Sequence, residues 1–340
     1  MKKTTLCTHN RAPLRRRTTL VLAVAACGLA LLPVTRAETE EKLEKTFPAS
    51  ASGQLVVEVD FGSIEVSSNA VDEVSIHVWR RVSRGSKADE QSFLDERPVT
   101  FAQEGSTVTV RSKGPALKNW KGKQRVEAKY VIAVPSQFGA RLKTAGGSID
   151  LRDLQGAFNA STSGGALKFA RLRGPLDGRT AGGAIRMNDC DGALKIQTSG
   201  GRIDVSGGGG TLDGRTSGGS VAVKTFQGPV HVESDGGGIR LDDVAGKVYG
   251  ATSGGSISAS FSSLTEPVNL QTSGGSVTLR APANAAFDLD ASTSGGGTSS
   301  ELPVTITGKK AHDHLKGPVN GGGKPVVLRS DGGGVQVKRL

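Results

Sequence analysis

The chain has 340 residues, with 48 Gly against ten Phe, two Trp and two Tyr. So few large side chains argue against a conventional enzyme core, and glycine that does not recur at every third position excludes collagen. The formal charge of +11 is concentrated at the start: residues 1–37 hold seven of the 43 Lys/Arg and no acid, which leaves 36 basic against 32 acidic residues and no case for nucleic acid.

Residues 1–37 read as a secretory signal peptide. Basic residues up to Arg17 precede the apolar run Leu20–Leu32, Pro33 ends it, and Thr35-Arg36-Ala37 offers a cleavage site after Ala37. The run is short for a membrane span. This predicts an exported protein, periplasmic, cell-surface or extracellular. The alternative is a lipoprotein anchored through Cys27, since Val24-Ala25-Ala26-Cys27 resembles a lipobox, although the apolar run continues beyond it. Arg16-Arg17 permits a twin-arginine route that the following residues fit poorly. Cys7 and Cys27 fall in this leader, so only Cys190 remains and no internal disulfide is expected.

Residues 38–52 are charged and read as a lead-in linker. Residues 53–140 read as an irregular β region that caps a solenoid. It has strands around Leu55–Val59, Ile64–Val66, Val74–Val82, Val99–Phe101, Thr107–Arg111 and Arg125–Val134, and one helix over Lys87–Glu96 stopped by Pro98. Phe61-Gly62-Ser63-Ile64 looks like a degenerate copy of the later repeat.

From residue 141 to 340 the sequence repeats. Glycine pairs Gly146-Gly147, Gly164-Gly165, Gly182-Gly183, Gly200-Gly201, Gly218-Gly219, Gly236-Gly237 and Gly254-Gly255 are spaced by 18 residues, and further pairs begin at Gly274, Gly295 and Gly332. Counting from the first glycine, offsets 3, 5 and 12 are apolar, offset 10 is Gly and offset 16 is a hydroxyl. Each unit is therefore two short alternating strands and two turns. The fold expected is all-β: a β-solenoid of 18-residue coils with two strands per coil. A long antiparallel meander and 36-residue coils are the alternatives, the latter because offset 14 alternates between large and small residues. The paired glycines are expected to be structural turn residues, with a positive φ in each pair and successive pairs stacked in sequence order about 4.8 Å apart.

A strand ending in Ala133-Val134-Pro135, followed by Thr-Ser/Ala-Gly-Gly-x-Ile-x-Val units with Gly ten residues after each pair, resembles the bacterial DUF4097 adhesin-like family over roughly residues 50–340. The resemblance implies an exported β-repeat protein and brings no catalytic residues.

Candidate chemistry is sparse. The outward acids Asp150, Asp177, Asp204, Asp213, Glu233 and Asp242 read as solvated charges paired between coils. Gly200-Gly201-Arg202-Ile203-Asp204-Val205 only faintly echoes a calcium repeat, and Asn188-Asp189-Cys190-Asp191-Gly192 reads as a turn whose carboxylates bond the local backbone. His312-Asp313-His314 lacks a third metal ligand, and Cys190 sits at an apolar offset. No metal, cofactor or catalytic residue is expected. One basic cluster, Lys113, Lys118, Trp120, Lys121, Lys123 and Arg125, is a candidate ligand-binding loop. The function expected is a non-enzymatic, adhesin-like or envelope-associated binding or scaffold role, with surface glycan, peptidoglycan or another envelope protein as partner and no nucleic acid or membrane span. A carbohydrate-active β-helix enzyme, lyase or hydrolase, and an end-to-end assembling structural module are the alternatives.

Overall fold

Short alternating runs closed by glycine leave the backbone little choice but strands that bury one side each. The computed structural model describes residues 38–50, 52–115, 125–307 and 312–340; the expected leader, with Cys27, lies outside the described residues. The described residues fold into two 14-stranded sheets, here front and back, whose inward side chains form one continuous core.

The N-terminal elements are β1 (Thr39–Pro48), β2 (Ser52–Val59), β3 (Ser63–Asn69), β4 (Glu73–Ser83), α1 (Lys87–Asp95), β5 (Thr100–Glu104), β6 (Thr107–Ser112) and β7 (Arg125–Pro135). Coils then succeed one another, each a back strand and a front strand. They are β8 (Gln137–Thr144) with β9 (Ile149–Arg152), β10 (Phe158–Thr162) with β11 (Leu167–Ala170), β12 (Leu176–Thr180) with β13 (Ile185–Asn188), and β14 (Asp191–Thr198) with β15 (Ile203–Ser206). The series continues with β16 (Gly209–Thr216) and β17 (Val221–Lys224), β18 (Val230–Ser234) and β19 (Ile239–Asp242), β20 (Val248–Thr252) and β21 (Ile257–Ser260), and β22 (Val268–Thr272) and β23 (Val277–Ala281). The last elements are β24 (Phe287–Thr293), β25 (Thr298–Ser300), β26 (His314–Val319), β27 (Lys324–Ser330) and β28 (Val335–Arg339).

Neighbouring strands of the repeat are parallel and in an 18-residue register: Leu167 lies between Ile149 and Ile185, and Leu176 between Phe158 and Leu194. The protein is a β-solenoid with 18-residue coils. Parallel pairing removes the meander, and the register removes the 36-residue coil. The offset-14 alternation has a packing cause instead. A Cβ on Gly178 would lie 2.9 Å from the Phe169 ring and 3.5 Å from Ile196, so the small residue leaves room for large neighbours.

Both ends depart from sequence order. Coil β2/β3 sits between β6/β7 and β8/β9, and coil β27/β28 sits between β22/β23 and β24/β25. The expected column of successive glycine pairs therefore holds only through Gly274: Gly332 packs on Gly274, and Gly295 packs on Gly332. Beyond these coils the sheets end in antiparallel strands, β1 on β4, β5 on β6 and β26 on β24.

Residues 38–52 are not a linker, because most of them form β1. Its Leu43 and Phe47 pack on the core while Glu and Lys fill the outer positions, the charged composition of a protected edge. α1 starts where Ser86 accepts a hydrogen bond from the Asp89 amide at 3.2 Å. It buries Phe93 and Leu94 against Val82 in a small separate cluster.

Candidate binding surface

The stacked turns fix where outward side chains stand. In each repeat turn the hydroxyl at offset 16 is buried and bridges two coils. Thr162 Oγ1 donates to the Gly147 carbonyl at 2.9 Å and accepts from the Gly165 amide at 3.2 Å. The same pair of bonds recurs at Thr180, Thr198, Thr216, Ser234 and Thr252. The glycine pairs lie in these turns, but not for the conformational reason expected. None of the pairs from Gly146 to Gly255 has a positive φ; that conformation belongs to the offset-10 glycines, such as Gly174 at 122°. The second glycine of each pair is required by close stacking. A Cβ on Gly183 would sit 1.9 Å from the Gly165 carbonyl oxygen, whereas one on Gly182 meets nothing nearer than 3.8 Å. Offset 7 is left-handed even without glycine, at Asp153, Arg171, Asp189, Thr225 and Asp243.

With the turns stacked, outward residues form straight columns on two faces. Of the sequence-predicted loop, Lys113 and Arg125 are among the described residues. Lys113 pairs with Glu58 at 3.0 Å, and that bond is the main cause holding the Glu58 carboxyl below its usual range. Arg125 is exposed at the start of β7. Lys118, Trp120, Lys121 and Lys123 lie outside the described residues.

The back face carries a feature that pattern reading passed over. The His231 and Tyr249 rings stack across adjacent coils with centroids 4.6 Å apart and a tilt of 31°. His231 Nε2 is hydrogen-bonded to Glu233 at 2.8 Å, and Arg215 reaches both Asp213, at 3.1 Å, and Glu233, at 3.6 Å. Thr211, Asp213, Pro229 and Lys247 complete a depression of about 330 Å³ beside the ring pair. On the other side of Tyr249 the small Ala251 floors a polar depression of about 300 Å³, edged by Glu233, Asp235, Gln271 and Asp331. An aromatic surface between hydrogen-bonding groups suits a ligand with both a C–H face and hydroxyls. Both residues belong to the offset-13 column, whose other members are Asn, Asp and Lys; the signal was an aromatic in a polar column.

The remaining candidates are accounted for locally. Cys190 is buried, and burial pushes its thiol pKa up. Asp191 does not bond its own turn; it pairs with Arg173 of the preceding coil. Asp204 is held by Arg202 at 2.7 Å, and His314 by Asp290 at 3.3 Å. Among the described residues no group of three or more His, Cys, Asp or Glu is gathered for a metal, and no helix is long and apolar enough to cross a membrane.

Comparison with known proteins gives a family match and distant structural likenesses. Residues 216–338 match the family model described as Toastrack DUF4097. A search of the curated proteins returns no match. Among solved structures the chain is similar to a "putative adhesin" from Bacteroides fragilis, at 11% identity over 88% of this chain and 97% of that one, with a TM-score of 0.31. It is similar to another from Parabacteroides merdae, at 10% identity over 88% and 96%, TM-score 0.33. A "putative lipid binding protein" from Parabacteroides distasonis also matches, at 10% identity over 88% and 96%, TM-score 0.33. The family model that matches residues 216–338 is thus the one that the glycine pattern resembles.

Proposed function

We propose that this is an exported, non-enzymatic, adhesin-like protein whose solenoid holds a saccharide-binding surface on its back face. The observation that carries this reading is the half-buried His231–Tyr249 ring pair, which lines a largely apolar depression close to a polar one. A sugar ring laid on Tyr249 would place its hydroxyls toward Asp213 and Lys247 on one side and toward Gln271 on the other. The nearby acids Asp213 and Glu233 both face Arg215, an arrangement that suits holding a ligand. The basic loop from Lys113 to Arg125, with Lys118, Trp120, Lys121 and Lys123, is a second contact region in this proposal.

The test is a glycan and peptidoglycan binding screen on the exported protein, with turnover of the same substrates followed in parallel. Saturable binding weakened about tenfold by Tyr249→Ala, with turnover at buffer background, is the expected result. Binding indifferent to Tyr249→Ala would remove the platform. Turnover abolished by Glu233→Gln would put the enzyme reading first.

A further inference from the structure

The front face is charged differently from the back. On β11, β13, β15 and β17 and the turn before β15, the outward residues include Lys168, Arg186, Arg202 and Lys224 against one acid, Asp204. Asp204 is already taken by Arg202. Lys168, Arg186 and Lys224 are exposed and make no ion pair among the described residues, although neighbouring coils of this protein pair their charges readily, as Arg171 does with Asp153 and Arg173 with Asp191. Lys168 and Arg186 are directly opposed on adjacent strands. Asp150 aligns with Lys168 on its other side without reaching ion-pair distance, and Asp204 does the same beside Arg186. Like charges directly opposed weaken a strand pair, so the Lys168–Arg186 step gains nothing from its charges, although acids flank it on both sides. Beside Asp204 the small Ala222 leaves a depression of about 240 Å³ lined by Arg186, Arg202 and Lys224 and by the Arg202-paired Asp204, with Asn188 and Ser206 supplying hydrogen-bonding groups.

We propose that this depression is an anion site for an acidic polysaccharide, one bearing a carboxylate on its sugar units. The guanidinium of Arg186 has its full fork of donors available for a bidentate carboxylate contact. Lys224 supplies a second charge two coils away, and Lys168 extends the basic track toward β9 for the next unit of the polymer. Asn188 and Ser206 meet sugar hydroxyls. The site lies on the face opposite Tyr249 and stands independently of the platform proposed there.

Binding of hexagalacturonate to the exported protein, followed by calorimetry at low ionic strength, tests this, with a neutral dextran oligomer as control. The expected result is saturable binding of the acidic oligomer only, weakened by added salt. It should fall about tenfold or more in the double variant Arg186→Gln, Lys224→Gln, and be unchanged in Lys195→Gln on the exposed back face. The double variant should melt close to the parent, because neither side chain holds an ion pair among the described residues. No binding of the hexamer, equal binding by the double variant, or equal binding of dextran would overturn the proposal. A loss confined to Lys195→Gln would place the acidic sugar on the back face and overturn it equally.

Discussion

The hydroxyl of Thr180 donates to the carbonyl of Gly165, one coil away, at 2.8 Å. The same oxygen accepts the Gly183 amide at 3.2 Å, so one buried side chain satisfies two backbone groups in different coils. Thr180→Val keeps the shape and strands both groups. It should cost about 1–3 kcal/mol, while Thr211→Val on the exposed back face should stay within about 0.5 kcal/mol. Urea unfolding of the two variants decides; equal midpoints would show that the ladder is incidental.

The glycine pairs should divide by position. Gly183→Ala forces a methyl into the Gly165 carbonyl, and overpacking of this kind costs about 1–3 kcal/mol or more. Gly182→Ala points into open space and should be nearly neutral. If Gly182→Ala proves as damaging as Gly183→Ala, conformational freedom and not stacking is the reason for the pair.

Thr225 holds φ at 51°, a conformation costly for a β-branched residue. Its counterparts in the column include Asp189, Asp243 and Gly207. Thr225→Asn should therefore raise stability by about 0.5–1 kcal/mol, since Asn tolerates this region. An unchanged or lower melting temperature would refute the strain.

Asp290 joins three elements: Arg329 of β27 reaches it at 2.6 Å, and His314 and Lys316 of β26 at 3.3 and 3.4 Å. The Arg329 hydrogen bond is the main cause that holds its pKa down at about 2, against a smaller upward push from burial and with further lowering from His314 and Lys316. The folded value lies below the unfolded one, so the stabilisation is complete above the unfolded pKa of about 4. It is lost as pH falls from there through about 2. Melting temperature should drop across that window in the parent protein and less steeply in Asp290→Asn. Parallel acid limbs would exclude Asp290 as a contributor.

The repeat was legible because each offset meets one environment: apolar at Ile185 and Leu194, hydroxyl at Thr180, glycine at Gly174. Such a pattern says what kind of coil a segment makes, but not which coil it lies beside. Gly332 and Gly295 carry the same signature, so their exchanged places were invisible, as was the seat of coil β2/β3. β1 was hidden because only Leu43 and Phe47 mark its inner side. The two surface sites were illegible for a related reason. Tyr249 on His231, and Arg186 beside Lys168, become neighbours only once the coils stack, and neither pair repeats along the chain.

The exchanged order of the last coils sets a schedule for assembly. A growing chain can zip up coil by coil as far as β22/β23, each coil finding a neighbour of the finished stack already made. Coil β24/β25 is made next but has no seat there, because its neighbour in the finished stack is β27/β28. The stack therefore closes only after β28 has been made. Losing coil β27/β28 would leave a gap within the stack, where a sequentially built rod would simply be shorter.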